Sequence, residues 1–326
     1  MSDNNPVHEM IQQFNQKLSD RVVIGEFDYQ KDMATLERYL GVAEELGAHI
    51  LLRDLYNTVG KVQDQACYPS LAIGAWQQAL DLHLQHSTAE VPVVGYEYNI
   101  ALALQLLDRH ETAVQTLDRL YETFLSIEGS IQHYGFLLLM MVADTIYSQL
   151  ALGRVFDAVT TNTRLDSMED YLSITYNRNF TRALVKLWSV TAELHLAQAD
   201  YGKAWSAANL SMEQATALND HGMRTRIAFT RLHIAEQDED MHHQRDALEA
   251  QAEAALNKVT TPSTRGRELL LEARYRRQQG YTGIQQRLAQ RAFDIFKQEH
   301  AEEGMELARS LLTAPPPTND DDNDGG

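Results

Sequence analysis

In YNIALALQLLDRHETAVQTLDRLY, residues 98–121, apolar side chains recur every three or four positions on both sides of a polar break at Asp108, Arg109 and His110. That spacing lays them along one face of a helix, and two such runs around a short polar interruption predict an antiparallel helical hairpin. Ala101 and Ala113 fall where the two helices approach most closely, while Ile100, Leu104, Leu117 and Leu120 supply bulk to the seam between them.

The layout returns along the chain. A small residue opens the second helix of each unit at Ala72, Ala113, Ala158, Ala204 and Ala247, in steps of 41, 45, 46 and 43 residues. Twelve positions upstream stand Gly60, Ala101, Ile146, Ala192 and Ala235, four of them small as close helix packing requires. Turn residues agree with this phase: Gly153 and Arg154 precede the helix holding Ala158, and Asp200 stands where it can cap the helix holding Ala204. Extending the phase in both directions predicts seven hairpins near 6–46, 49–87, 93–128, 131–174, 177–218, 222–258 and 265–297. A last helix near 300–313 would cover the apolar face left by the seventh.

Tyr56-Asn57-Thr58-Val59-Gly60, Tyr98-Asn99-Ile100-Ala101 and Trp188 with Ala192 resemble the first-helix pattern of tetratricopeptide repeats, and Asp200-Tyr201-Gly202-Lys203-Ala204 resembles their turn. Ile146 stands where the family places a small residue, Asn162 where it places a large apolar one, and every step exceeds the family's usual 34 residues. The long step resembles the sensor domains of LuxR-type and MalT-type bacterial regulators and of quorum-peptide receptors. The resemblance implies an all-α solenoid, a right-handed superhelix with a concave surface that receives a protein segment or peptide. Residues 1–313 form this repeat domain, and APPPTNDDDNDGG, residues 314–326, reads as a disordered acidic tail with no large apolar side chain to bury.

Composition narrows the function. The chain has 326 residues, 44% of them hydrophobic, with only seven prolines, so a folded protein with a sizeable core is expected. A formal charge of −18 disfavours nucleic acid as a partner. No apolar run approaches the ~20 residues a membrane-spanning helix needs. The amino terminus lacks a secretion signal's charged start and apolar stretch, and Cys67 is the single cysteine, so no internal disulfide forms. These features predict a cytoplasmic protein.

Within that frame, Arg178, Arg182 and Lys186 recur every four residues and share one helix face; Arg224, Arg226 and Arg231 follow on the next first helix. Together they suggest a basic strip suited to the carboxylates of an acidic peptide, the competing reading being a solvated helix face. Ser189 joins the strip by its position, and Tyr98, Asn99, Leu102, Met140 and Tyr147 are placed on or near the same concave side, where packing between repeats is the alternative.

Phosphate-binding, nucleophile-elbow and HExxH motifs are absent. His242 and His243 are adjacent and point about 100° apart on a helix, which is poor geometry for one metal ion. His195 reads as a packed histidine. No catalytic residue, metal or cofactor is expected. The sequence therefore predicts a non-enzymatic scaffold or adaptor, with a ligand-responsive regulator acting through a separate effector as the alternative. The exposed ends of such a stack also leave room for homo-oligomers.

Overall fold

The computed structural model describes residues 6–23, 26–87, 89–127, 130–168 and 178–313. The proposed acidic tail at 314–326 lies outside the described residues. Within them the chain holds fifteen α-helices and no strand. In order these are α1 (Pro6–Val23), α2 (Tyr29–Glu45), α3 (His49–Gln65), α4 (Pro69–His86), α5 (Glu90–Leu106), α6 (His110–Ser126), α7 (Ser130–Ala151) and α8 (Val155–Asn162). They continue with α9 (Arg178–Ala197), α10 (Tyr201–Ala217), α11 (His221–Gln237), α12 (Arg245–Asn257), α13 (Pro262–Gln278), α14 (Thr282–Gln298) and α15 (Glu302–Thr313).

From α3 onward most helices pack along the next, the contact being slight only from α8 to α9 and from α12 to α13, which gives a stack of helical hairpins. At the amino-terminal end, α1 lies against α3 more extensively than against α2, so the first three helices form a small cluster around Ile11, Leu36 and Leu55. The paired small positions do what close approach demands: Ala72, Ala101, Ala113, Ala158, Ala192, Ala204 and Ala235 are all fully buried. Ala247 departs from the pattern. It is exposed, and Leu248 is the buried residue, because a 3-10 turn at Glu239–Gln244 intervenes before α12 and moves the register on by one. Ile146 is also fully buried, on α7, which at 22 residues is the longest helix described.

One corner geometry is reused throughout. Eight helices end on a residue with positive φ, and the next N–H returns to the carbonyl five residues back, as in Tyr68 to Gln63, Arg109 to Leu104 and Asp200 to His195. This satisfies a carbonyl that the helix end would otherwise orphan. Glycine holds the turn at Gly47, Gly153 and Gly280, whereas Cys67, Asp108, Ala199, Asn219 and His300 adopt it despite their side chains. Ala199, at φ 57°, carries the penalty of about 1–2 kcal/mol that the left-handed region imposes on an L-residue. Glycine there loses part of that gain to its own chain entropy, so Ala199→Gly is expected to stabilise by about 0.5–1 kcal/mol, read from the urea midpoint. An unchanged or lowered midpoint would mean that the corner is not strained.

The apolar core is divided into several clusters along the stack. Its central part joins Phe124, Leu138, Leu139, Ile146 and Leu187, and its C-terminal part is organised by Phe296. That ring is fully buried; a Cβ on Gly266 would come within 2.7 Å of it and one on Gly304 within 2.8 Å. Helix α15 thus closes the stack by laying a glycine on an aromatic ring.

The two ends of the superhelix also meet. Arg267 on α13 reaches Asp64 near the end of α3 at 2.7 Å. Arg274 donates to the Leu106 carbonyl closing α5 at 2.7 Å, and the Tyr68 hydroxyl donates to the His300 carbonyl at 2.6 Å.

Candidate functional site

Inside the ring, the first helices of successive hairpins wall a cavity of about 900 Å³. Tyr147 comes from α7, Glu193 from α9, Arg226 and His233 from α11, Glu268 and Glu272 from α13, and Asp108 and His110 from the corner before α6. On α11, Arg226, Thr230 and His233 stand at i, i+4 and i+7, and on α13, Glu268, Glu272 and Tyr275 repeat that spacing, so each helix turns one polar stripe inward. Leu150, Leu196 and Phe229 provide apolar wall between these stripes.

Two kinds of charged group line this space. The first is fully paired. His233 Nε2 lies 2.9 Å from Glu272 Oε1, Arg276 Nε donates to the same oxygen at 2.6 Å, and a second Arg276 nitrogen reaches Glu236 at 2.5 Å. Burial works against the Glu272 charge, but His233 and Arg276 outweigh it and hold the carboxyl below its ordinary range. Tyr275 stacks on the His233 ring at 3.8 Å and fixes its plane.

The second kind is left partly unsatisfied. The Arg226 guanidinium comes no nearer to Glu268 than 3.8 Å, and Glu193 receives only the Thr230 hydroxyl at 3.5 Å. One cation thus serves two carboxylates at distances too long for good hydrogen bonds. Burial raises the affinity of both Glu193 and Glu268 for a proton, and the neighbouring cations only partly oppose it. Arg226 keeps its charge: burial disfavours it, but Glu268, Tyr147 and Glu193 together more than compensate.

The residues singled out in the sequence separate into groups. Tyr98 and Lys186 meet on Asp144, the Tyr98 hydroxyl donating to one carboxylate oxygen at 2.6 Å and the Lys186 ammonium pairing with the other at 2.6 Å. Both are set into the wall of the stack, and Ser189 is fully buried. Leu102 and Met140 pack against the central core, with Asn99 half-buried on α5. Of the arginines, Arg182 and Arg224 are half-buried, Arg231 lies over the Trp205 ring at 4.6 Å, and the Arg178 side chain is outside the described residues. Tyr147 reaches the cavity. Arg226 does so as well, whereas its helix-mates Arg224 and Arg231 are not among the residues lining the cavity.

Glu193, Glu268, Glu272, His233 and Arg274 were not selected from the sequence. For Glu268, Glu272 and His233 the signal was present as the matched i, i+4, i+7 stripes on two first helices. A search for clustered like charge passes over it, because the stripes mix both signs.

Among the described residues no group of three or more histidine, cysteine or carboxylate side chains is arranged to hold a metal, and no helix is long and apolar enough to cross a membrane. No protein-family model matches the chain, and no curated protein matches its sequence. Solved structures do match its shape. The crystal structure of a Rap protein complexed with competence and sporulation factor superposes with a TM-score of 0.55 over 93% of this chain and 90% of that one, at 14% identity. The apo form of RapI gives a TM-score of 0.55 over 93% and 95%, at 12% identity. The chain shares its overall fold, an all-helical repeat stack, with these two structures, and at 14% and 12% identity the likeness is one of fold alone.

Proposed function

We propose that the chain is a non-enzymatic binding protein that receives a peptide or an extended protein segment in the central cavity. The observation that carries this reading is the pair Glu193 and Glu268 around the single Arg226. Glu268 is buried and Glu193 and Arg226 are half-buried; all three lack short bonds to one another, and they line an open space in which a ligand can supply those bonds. Carboxylates on the lining outnumber guanidinium groups, with Asp108, Glu193, Glu268 and Glu272 against Arg226 and Arg274. The favoured occupant therefore carries a cationic group, while the acidic partner suggested by the basic strip is disfavoured, since Lys186 is already neutralised by Asp144.

The fold comparison agrees, because a Rap protein of this shape was crystallised with a competence and sporulation factor. A ligand-responsive regulator that acts on a separate effector, in the manner suggested by the LuxR- and MalT-like repeat length, is the second reading. It is favoured by the contact between the two ends of the superhelix, which gives a ligand something to alter.

Panning a random short-peptide library against the purified chain tests the proposal. Selected peptides are expected to be enriched in lysine and arginine. By calorimetry they should bind Glu193→Gln and Glu268→Gln about tenfold or more weakly, the loss of one charge-assisted hydrogen bond each. No enrichment, or equal affinity for wild type and both variants, would sink the reading.

A further inference from the structure

The closure between α3–α4 and the C-terminal hairpins differs physically from the packing within a hairpin. The two helices of a hairpin pack along their lengths, but no helix of the second hairpin packs in that way on α13, α14 or α15. The ends meet through corner side chains. Two of these contacts are helix caps supplied from the far side: the Glu303 carboxylate takes the Ser70 N–H at 3.0 Å in the first turn of α4, and Arg274 donates to the last carbonyls of α5. Ser70 also gives its hydroxyl to Glu303. Water can take the place of such caps, since it also satisfies the orphan groups of a helix end, so parting them loses only the charge-assisted part of each contact. Asp64 with Arg267 is the one enclosed ion pair of the seam, and Cys67 and Leu106 are the residues it adds to the C-terminal apolar cluster.

We propose that this seam is a clasp that opens while the hairpins stay folded, and that its opening is the route by which a segment enters the central cavity. The second half rests on the binding role proposed for the cavity. The cavity walls lie on both sides of the seam, with the Asp108–His110 corner on one and Glu268, Glu272 and Tyr275 on the other. Arg274 belongs to both structures: it lines the cavity, and it holds the seam through the Leu106 carbonyl. When the clasp parts, those two walls separate.

The chain carries its own reporter. Cys67, the only thiol, lies under the clasp with no exposed surface and its sulfur 3.8 Å from the Ser263 carbonyl across the seam. Burial also pushes its pKa up to about 12, so the closed form does not react with disulfide reagents at neutral pH.

The experiment follows the rate at which Ellman's reagent labels Cys67 in the full chain. Asp64→Ala and the milder Glu303→Gln are expected to speed labelling about tenfold or more, as the loss of one charge-assisted contact implies. The Glu303→Gln urea midpoint should stay near wild type, whereas that of Asp64→Ala should fall because Arg267 loses its enclosed partner; Arg291→Ala, which removes the exposed pair with Glu253, should label at the wild-type rate. Labelling rates equal in all four proteins, or rising only as far as global unfolding rises, would overturn the clasp. The entry route has a separate readout: a cavity-binding peptide selected as above should associate faster with Glu303→Gln than with wild type. An unchanged association rate with fast labelling would refute the route and leave the clasp standing. If no peptide binds, the cavity's role fails while the thiol rates still decide the clasp.

Discussion

Exchanging Phe296 for alanine is expected to destabilise the C-terminal end of the stack by about 3–5 kcal/mol, the usual loss when a fully buried phenylalanine is truncated. The ring is held between two backbones, with Gly266 on α13 and Gly304 on α15 both in contact range. Valine at either glycine attacks the same contact from the opposite direction. The ring is enclosed, so a Cβ within 2.7 or 2.8 Å of its atoms cannot be relieved by rotating a flexible end away. Overpacking of this kind costs about 1–3 kcal/mol. Differential scanning calorimetry should therefore show Gly304→Val and Phe296→Ala melting well below wild type, and Phe296→Leu should recover part of the Gly304→Val deficit by making room. A Gly304→Val protein that melts with wild type would show that α15 does not cap the stack as described.

Glu272→Gln is the second large effect, and it carries a pH signature. The carboxylate is nearly fully buried and serves both His233 and Arg276, and removing one member of such an arrangement leaves buried charge unpaired. Arg276 retains Glu236, which places the loss toward the lower end of about 3–5 kcal/mol. Because the folded carboxyl is held below its unfolded value, its stabilisation is fully present above the ordinary glutamate pKa and is lost as pH falls through the folded one. The gap between wild type and Glu272→Gln should thus be widest at neutral pH and narrow in acid. Glu193 and Glu268 carry the opposite sign. Their folded pKa values are raised, so ionisation above the unfolded value works against the fold, and Glu193→Gln should gain stability relative to wild type as pH rises. Thermal midpoints of the three proteins across the acid-to-neutral range would separate these cases; parallel curves would mean that neither carboxyl is shifted.

Much of the architecture was readable in the residues. Small side chains at twelve-residue separation reported the closest helix approaches, with Ile146 the one large exception, and Gly60, whose Cβ would fall 2.5 Å from the Trp76 indole, shows how strict the demand can be. The same logic slipped at Ala247, where six residues of 3-10 turn displaced the register without leaving a trace in the apolar spacing. The site was less visible for a different reason. Its stripes lie on α11 and α13, but their meeting with the corner at Asp108 depends on the curvature of the whole stack, which no local pattern encodes. Lys186 illustrates the converse: the sequence places it on a basic helix face, but the acid that neutralises it, Asp144, lies 42 residues earlier in the chain.

The meeting of Asp64 with Arg267 has an evolutionary corollary. A linear array grows or shrinks by duplicating or deleting a unit at little structural expense, since each unit consults only its immediate neighbours. Here such an indel would shift the two termini by a full unit, past each other, and strand both partners. The closure contacts therefore select against gain or loss of a unit between α3 and α13, and drift should proceed by substitution and by changes in loop length.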